Sequence, residues 1–275
     1  MPRIRADEHK YLRTFKEFPT VWCPGCGIGI VLGAIIRAVA RMGLEKDAVA
    51  MVSGIGCSGR MPVYVDFNTV HTTHGRALAF ATGIKLAKPQ MKVLVVMGDG
   101  DALAIGGNHF IHACRRNIDL SAIIINNSIY GLTGGQYSPT TPLGATSVTT
   151  PYGNLEPAFD IAKLAEAAGA AFVARSTVYH ALELDGFIAR SSEKKGFSVV
   201  EVLSDCPIHY GRANQMGGAV EMLKWYRDNT MTVAEAQGKY RGKLLRGVLA
   251  DRNLPEYIEE YQKLVTRLHK GGGPR

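Results

Sequence analysis

No run of apolar residues in this 275-residue chain approaches the ~20 that a membrane-crossing helix needs; the longest, such as Ile28 to Ile36 and Val93 to Met97, stop far short. No membrane span is predicted. The opening MPRIRADEHK has no apolar signal core, so a cytoplasmic location is expected. Cysteine is scarce as well. Five in so long a chain, an odd count, exclude a disulfide framework, and Asn126-Asn127-Ser128 then reads as a chance match to a glycosylation sequon. Charged residues are 20% of the chain and hydrophobic residues 46%, a balance that excludes both a disordered chain and a coiled coil. The net charge of +8 is dispersed, with clusters no longer than Arg115-Arg116 and Lys194-Lys195 and no basic stripe with interleaved aromatics. Nucleic acid is therefore not expected as a partner. There is no internal repeat.

What is present is an alternation. Short β-branched runs at 48–53, 92–97, 121–126, 170–175 and 197–203 are separated by helix-like segments at 28–42, 75–87, 108–116, 158–168 and 179–191. Near-continuous apolarity in the short runs predicts strands buried on both faces, and the alternation predicts a doubly wound, mainly parallel α/β sheet. Residues 131–157 break the rhythm with a Gly-, Pro-, Ser- and Thr-rich stretch of no period. A loop of that length in a compact domain is usually functional. The chain divides at 1–47, an N-terminal segment with a helix; 48–204, the α/β domain; and 205–275, a helical extension with amphipathic segments near 217–228 and 255–269 and a frayed GGGPR end.

Three motifs carry chemistry. The strand KVLVVM runs into Gly98-Asp99-Gly100-Asp101, where a glycine turn at a strand's carboxyl end lets backbone N–H groups approach phosphate. The next strand ends in Asn126-Asn127-Ser128-Ile129-Tyr130-Gly131, which places Asn127 beside Asp99. A carboxylate, an amide oxygen and a carbonyl suit Mg²⁺. A lone GDG would more often be a plain turn; the pair is the specific signal. The second motif, Gly54-Ile55-Gly56-Cys57-Ser58-Gly59, matches a dinucleotide fingerprint, yet Pro62 interrupts the helix it should open, and His74 stands where an acidic residue is needed. It reads better as a tight turn that places Cys57. The third is the set Cys23, Cys26, Cys57 and Cys206, all in Gly- or Pro-flanked loops, whereas Cys114 lies in a helical stretch and is expected in the core. Four loop cysteines suit zinc or an iron–sulfur cluster equally.

The order CPGCG, GIGCSGR, HGRA, GDGD…NNSIYG and DCPIHYGR resembles the β subunits of 2-oxoacid:ferredoxin oxidoreductases over nearly the whole chain, and DFNTVHTTHGRALAFATGIK with NNSIYGLTGGQ resembles their 2-oxoglutarate form. The resemblance implies a thiamin diphosphate fold, with Asp99, Asn127 and the Ile129 carbonyl on Mg²⁺. Gly56, Ser58, Gly59, Gly98, Gly100, Asp101, Tyr130, Gly131, Leu132 and Thr133 would line the cofactor. His74 in THGRA would act beside it, while Gly134 and Gln136 fall in the same irregular loop. The four loop cysteines would hold a [4Fe–4S] cluster. The resemblance further implies an α subunit that supplies the glutamate activating the thiamin, coenzyme A as co-substrate, and ferredoxin as electron acceptor. The rival readings are a pyruvate or branched-chain 2-oxoacid enzyme and a non-catalytic, zinc-stapled nucleotide-binding module. Arg60, Arg76 or a residue of the partner subunit would supply the cation for a substrate's distal carboxylate. His71, His109 and His112 have no motif to give them a role; His109 and His112, at helical spacing, and Met42, Met51, Met61 and Met97 are expected to serve packing.

Overall fold

In the computed structural model of the chain, residues 6–13, 19–236 and 242–270 are described; the GGGPR end lies outside them. The strands are β1 (Val49–Ser53), β2 (Asn68–His71), β3 (Lys92–Gly98), β4 (Ser121–Asn126), β5 (Ile129–Tyr130), β6 (Gln136–Tyr137), β7 (Phe172–Thr177), β8 (Ser198–Leu203), β9 (Thr230–Thr232) and β10 (Leu244–Asp251). The helices are α1 (Ile28–Arg41), α2 (Ala77–Ala87), α3 (Gly107–Arg116), α4 (Ile161–Ala167), α5 (Ala181–Glu193), α6 (Ala219–Asn229) and α7 (Tyr257–His269). Eight strands form one sheet in the order β2-β1-β3-β4-β8-β7-β10-β9, and β5 with β6 forms a small separate hairpin. All pairings in the large sheet are parallel except that of β10 with β7.

The sheet core follows from its residues. Every position of β1, β7 and β8 is buried, as the near-continuous apolar runs require. Leu94, Val96, Ile123 and Ile125 face α1 and α5, while Val93, Val95, Met97 and Ile124 face the side covered by α2, α3 and α4. Each such side chain contributes about 1.5–3 kcal/mol relative to an exposed one. Cys114 is fully buried in the second of these layers, and Met51, Met61 and Met97 are fully buried too.

Two strands escape the sequence pattern. Edge strand β2 is half-exposed and too polar to read as a buried run. Strand β10 carries Gly247 at φ +122° and a register shift between Val248 and Ala250. The C-terminal segment therefore holds helices α6 and α7 but also adds strands to the central sheet.

Candidate active site

Parallel pairing sets the site. Gly98 lies opposite Ile125, so the residues following β3 and β4 leave the sheet side by side, and Asp99 and Asn127 face one cleft. A helical turn starts at once at Asp99 and widens into a π-turn at Asp101–Ile105 before α3, a device frequent at functional sites. Tyr130 hydroxyl donates to the Gly100 carbonyl at 3.0 Å, and a Cβ on Gly100 would stand 2.2 Å from the Tyr130 ring. Glycine is required there by close approach.

Asp99 is buried at 2% exposure. Its Oδ2 accepts from Ser138 Oγ at 2.6 Å and from Thr140 Oγ1. Burial pushes its carboxyl above the usual range, and these hydroxyls pull it partly back. Thr141 Oγ1 donates to the Ser128 carbonyl at 2.7 Å, and Asn154 Nδ2 donates to the Thr141 carbonyl at 2.8 Å. The aperiodic loop is thus a packed segment whose hydroxyls reach the Asp99 carboxylate. Nothing in the sequence pointed to Ser138 or Thr140, because hydroxyl residues in a loop of no period carry no register. The Asn127 side chain, facing the same cleft, has no hydrogen-bond partner among the described residues.

The cleft is lined by Gly56, Ser58, His74, Gly98, Asp99, Gly100, Asp101, Asn127, Ile129, Tyr130, Gly131, Leu132 and Thr133, and also by Ile28 and Ile55, which the sequence did not single out. Gly59 does not reach it; it packs instead against the Gly54 carbonyl and lines a neighbouring hollow with Arg13 and His71. Asp101 Oδ1 accepts from His74 Nδ1, from Gly75 N–H at 2.7 Å and from Ile55 N–H at 3.4 Å. Its role on this geometry is to fasten the Gly54 and His74 loops, and burial raises its carboxyl. GIGCSG is followed by a 3-10 turn at Ser58–Val63, not by the long helix of a dinucleotide site. His71 is held by Ser53 Oγ at 2.9 Å, and His109 and His112 lie half-buried on α3. Arg76 donates to the Ile105 carbonyl at 2.9 Å, whereas Arg60 borders the cysteines.

Beside the cleft, a cavity of about 170 Å³ is lined by Cys23, Cys26, Cys57 and Cys206 together with Trp22 and His209. The Pro24-Gly25 turn closes with Cys26 N–H donating to the Cys23 carbonyl at 3.0 Å, and Gly25 takes φ +82°. Trp22 Nε1 donates to the Cys57 carbonyl at 2.7 Å. Gly27 is the N-cap of α1, its carbonyl accepting from Ile30 N–H at 3.0 Å and Val31 N–H at 3.2 Å; its φ of −66° demands no glycine, but close packing does, since a Cβ there would stand 2.6 Å from both Asp205 Oδ1 and Ser204 Oγ. Burial pushes the Cys26 thiol up to about 12 and the Cys57 thiol to about 11, and raises Cys206 as well. Such thiols ionise when a metal supplies the positive charge. Backbone N–H groups of Ile28, and of His209 and Tyr210, face the Cys26 and Cys206 sulfurs. Among the described residues, no three His, Cys, Asp or Glu side chains converge as ligands of a single metal ion.

The cleft and the cysteine cavity share a wall formed by Cys57, Asn127, Gly131 and Leu132. A Cβ on Gly131 would lie 3.6 Å from the sulfurs of both Cys57 and Cys206.

The family described as thiamine pyrophosphate enzyme, C-terminal TPP binding domain, matches residues 48–202. The chain is 53% identical over 98% of both chains to the 2-oxoglutarate synthase subunit KorB of Archaeoglobus fulgidus. The chain belongs to the β-subunit family of the 2-oxoacid:ferredoxin oxidoreductases. The KorB subunit of Methanocaldococcus jannaschii is 47% identical, over 94% of this β subunit and 97% of that chain. A solved structure, the 2-oxoglutarate:ferredoxin oxidoreductase of Magnetococcus marinus with 2-oxoglutarate, coenzyme A and succinyl-CoA bound, superposes with a TM-score of 0.85 at 34% identity, covering 97% of this β subunit and 91% of that chain. Among its described residues, no helix is long and apolar enough to cross a membrane.

Proposed function

We propose that this β subunit binds thiamin diphosphate, Mg²⁺ and a [4Fe–4S] cluster, and works with an α subunit to oxidise 2-oxoglutarate with coenzyme A to succinyl-CoA and CO₂, passing electrons to ferredoxin; the same steps reversed would fix CO₂. The observation that carries the reading is the shared wall: a carboxylate–amide cleft of the kind that holds a metal diphosphate abuts a four-cysteine cavity across Gly131, which has no side chain to separate them. When bound, thiamin diphosphate supplies carbanion stabilisation and the cluster supplies one-electron transfer.

The residues fit these groups. Asp99, the unpartnered Asn127 amide and the Ile129 carbonyl would hold Mg²⁺, with Ser138 and Thr140 keeping one Asp99 oxygen oriented. Gly98, where a Cβ would meet only Ser58 Oγ at 3.3 Å, would let a diphosphate come close to the backbone, while Gly100 makes room for Tyr130 beside it. His74, held by Asp101 through Nδ1, presents its other ring nitrogen as a donor or acceptor. Cys23, Cys26, Cys57 and Cys206 would hold the cluster, whose several irons spread their ligands wider than a single zinc does. The backbone N–H groups facing two of the sulfurs would stabilise the added charge on reduction. Cys23 alone among the four is exposed, and it marks the side from which an acceptor is reached. Arg60, on the rim of the same cavity, is the better placed of the two arginines to meet a distal carboxylate. The activating glutamate and the rest of the substrate pocket are assigned to the α subunit, and the compartment to a reducing cytoplasm.

The test is co-purification with the native α subunit and 2-oxoacid-dependent reduction of a viologen dye. We expect 2-oxoglutarate to be oxidised well ahead of pyruvate and branched-chain acids, and a broad visible absorbance to bleach with dithionite. A colourless, zinc-loaded complex inactive with every 2-oxoacid would overturn the proposal.

A further inference from the structure

Glu201 is a charged residue in the interior of a buried strand. It stands in β8 between Val200 and Val202 at 2% exposure, in register with Arg175 of β7 at 6%. Arg175 Nε donates to Glu201 Oε2 at 2.7 Å, its Nη1 to the Leu245 carbonyl at 3.3 Å, and its Nη2 to Asp160 Oδ1. Glu201 Oε1 accepts from Asn126 Nδ2 at 2.9 Å, and Asn126 Oδ1 accepts from Ser128 N–H at 3.3 Å. These partners fix the Asn126 amide, since its NH₂ must face the carboxylate and its oxygen the N–H. Asp160 Oδ1 also accepts from Lys163 N–H at 3.1 Å and so caps α4. One chain of polar contacts, buried at Arg175 and Glu201 and half-buried at its ends, therefore joins the Ser128 turn, where the irregular loop begins, to the start of α4, where it ends.

Burying such charges costs several kcal/mol per ion, and apolar side chains in a sheet core stabilise at least as well. The network is explained by what it holds. Ser128 is left-handed at φ +61°, a conformation unfavourable for a residue with a Cβ, and it is the hinge between Asn127 and Ile129. We propose that Asn126 and Glu201 are positioning residues: they set the Ser128 turn that presents the Asn127 amide and the Ile129 carbonyl to the metal. Through Arg175 and Asp160 they also anchor the far end of the loop that brings Ser138 and Thr140 to Asp99. This rests on the Mg²⁺ assignment made above.

The test uses the co-purified complex stripped of cofactor. Asn126→Leu removes both amide bonds, and we expect hydrogen exchange at the Ser128 amide to quicken and Mg²⁺–thiamin diphosphate to bind roughly tenfold more weakly by calorimetry. Glu201→Gln keeps the acceptor for Asn126 and should bind closer to wild type than Glu201→Leu. Asn126→Asp, which keeps an acceptor for the Ser128 N–H but sets a carboxylate against Glu201, should weaken binding as well and is read by affinity alone should the leucine variant not fold. Val199→Ala, a core truncation in the same strand, should lower the melting temperature without weakening binding. Unchanged exchange and affinity in the Asn126 variants, or equal weakening by Val199→Ala, overturns the positioning role. Asn127→Ala separates the two claims: wild-type affinity there sinks the Mg²⁺ assignment, whereas weakening there with none in the Asn126 variants sinks only the positioning role.

Discussion

Asp99 bears a desolvation cost that Ser138 and Thr140 offset only in part. A bound cation would complete the offset, so Asp99→Ala should abolish Mg²⁺-dependent thiamin diphosphate binding in a calorimeter while leaving the far-ultraviolet circular dichroism unchanged. Gly100→Ala acts by another route. The added methyl would stand 2.2 Å from the Tyr130 ring, and overpacking of this kind costs about 1–3 kcal/mol, to be read as a lower urea midpoint. Among the cysteines, Cys206→Ser should remove the dithionite-bleachable absorbance, whereas Cys114→Ser, on the buried face of α3, should retain it. Serine in place of Cys114 is expected to lower stability alone. The spectra of the two variants check the division between cavity and core cysteines. At this scale the chemistry-bearing types were legible: Asp99, Asn127 and the loop cysteines announce themselves by strand ends and flanking glycines. Ser138, Thr140 and Glu201 did not, because their partners lie far off in sequence and their own surroundings carry no signal.

Helices and strands carry their own consequences. His180 precedes α5, with Nδ1 2.8 Å from Thr177 Oγ1, and burial together with Arg246 lowers its pKa. The folded state therefore resists protonation that the unfolded state accepts below about 6.5. Stability contributed by the neutral ring is full above that pH and falls as the pH drops through it, and a cation at the start of α5 is unfavourable in the same sense. His180→Gln should flatten the dependence of the urea midpoint on pH between about 7 and 5; a parallel slope in both proteins would contradict this. The helices with clear periodicity ran close to their expected spans, since one apolar face must meet the sheet. The loop at 131–157 was legible only as a break in rhythm. Its ordered course depends on Thr141 meeting the Ser128 carbonyl, on Asp160 meeting Arg175 of β7, and on Asn154 bonding back to the Thr141 carbonyl across the loop.

On the scale of the whole molecule, β10 ties the C-terminal segment into the sheet, and Ala250 and Ile258 are buried against the layer formed by α3 and α4. Ile258→Ala should cost about 2–5 kcal/mol, and Leu264→Ala on the exposed part of α7 less than about 0.5 kcal/mol, as urea denaturation would show. The sequence by itself determined the layered α/β architecture and the positions of the cysteine and GDG motifs, because apolar period and glycine punctuation are local properties. Only the tertiary structure decided that β2 and β10 extend the sheet and that the loop hydroxyls reach Asp99. It also decided that the cysteine cavity and the carboxylate cleft share Gly131. Each of these is a meeting of residues distant along the chain, and such meetings are set by strand order and close packing, which no local pattern records.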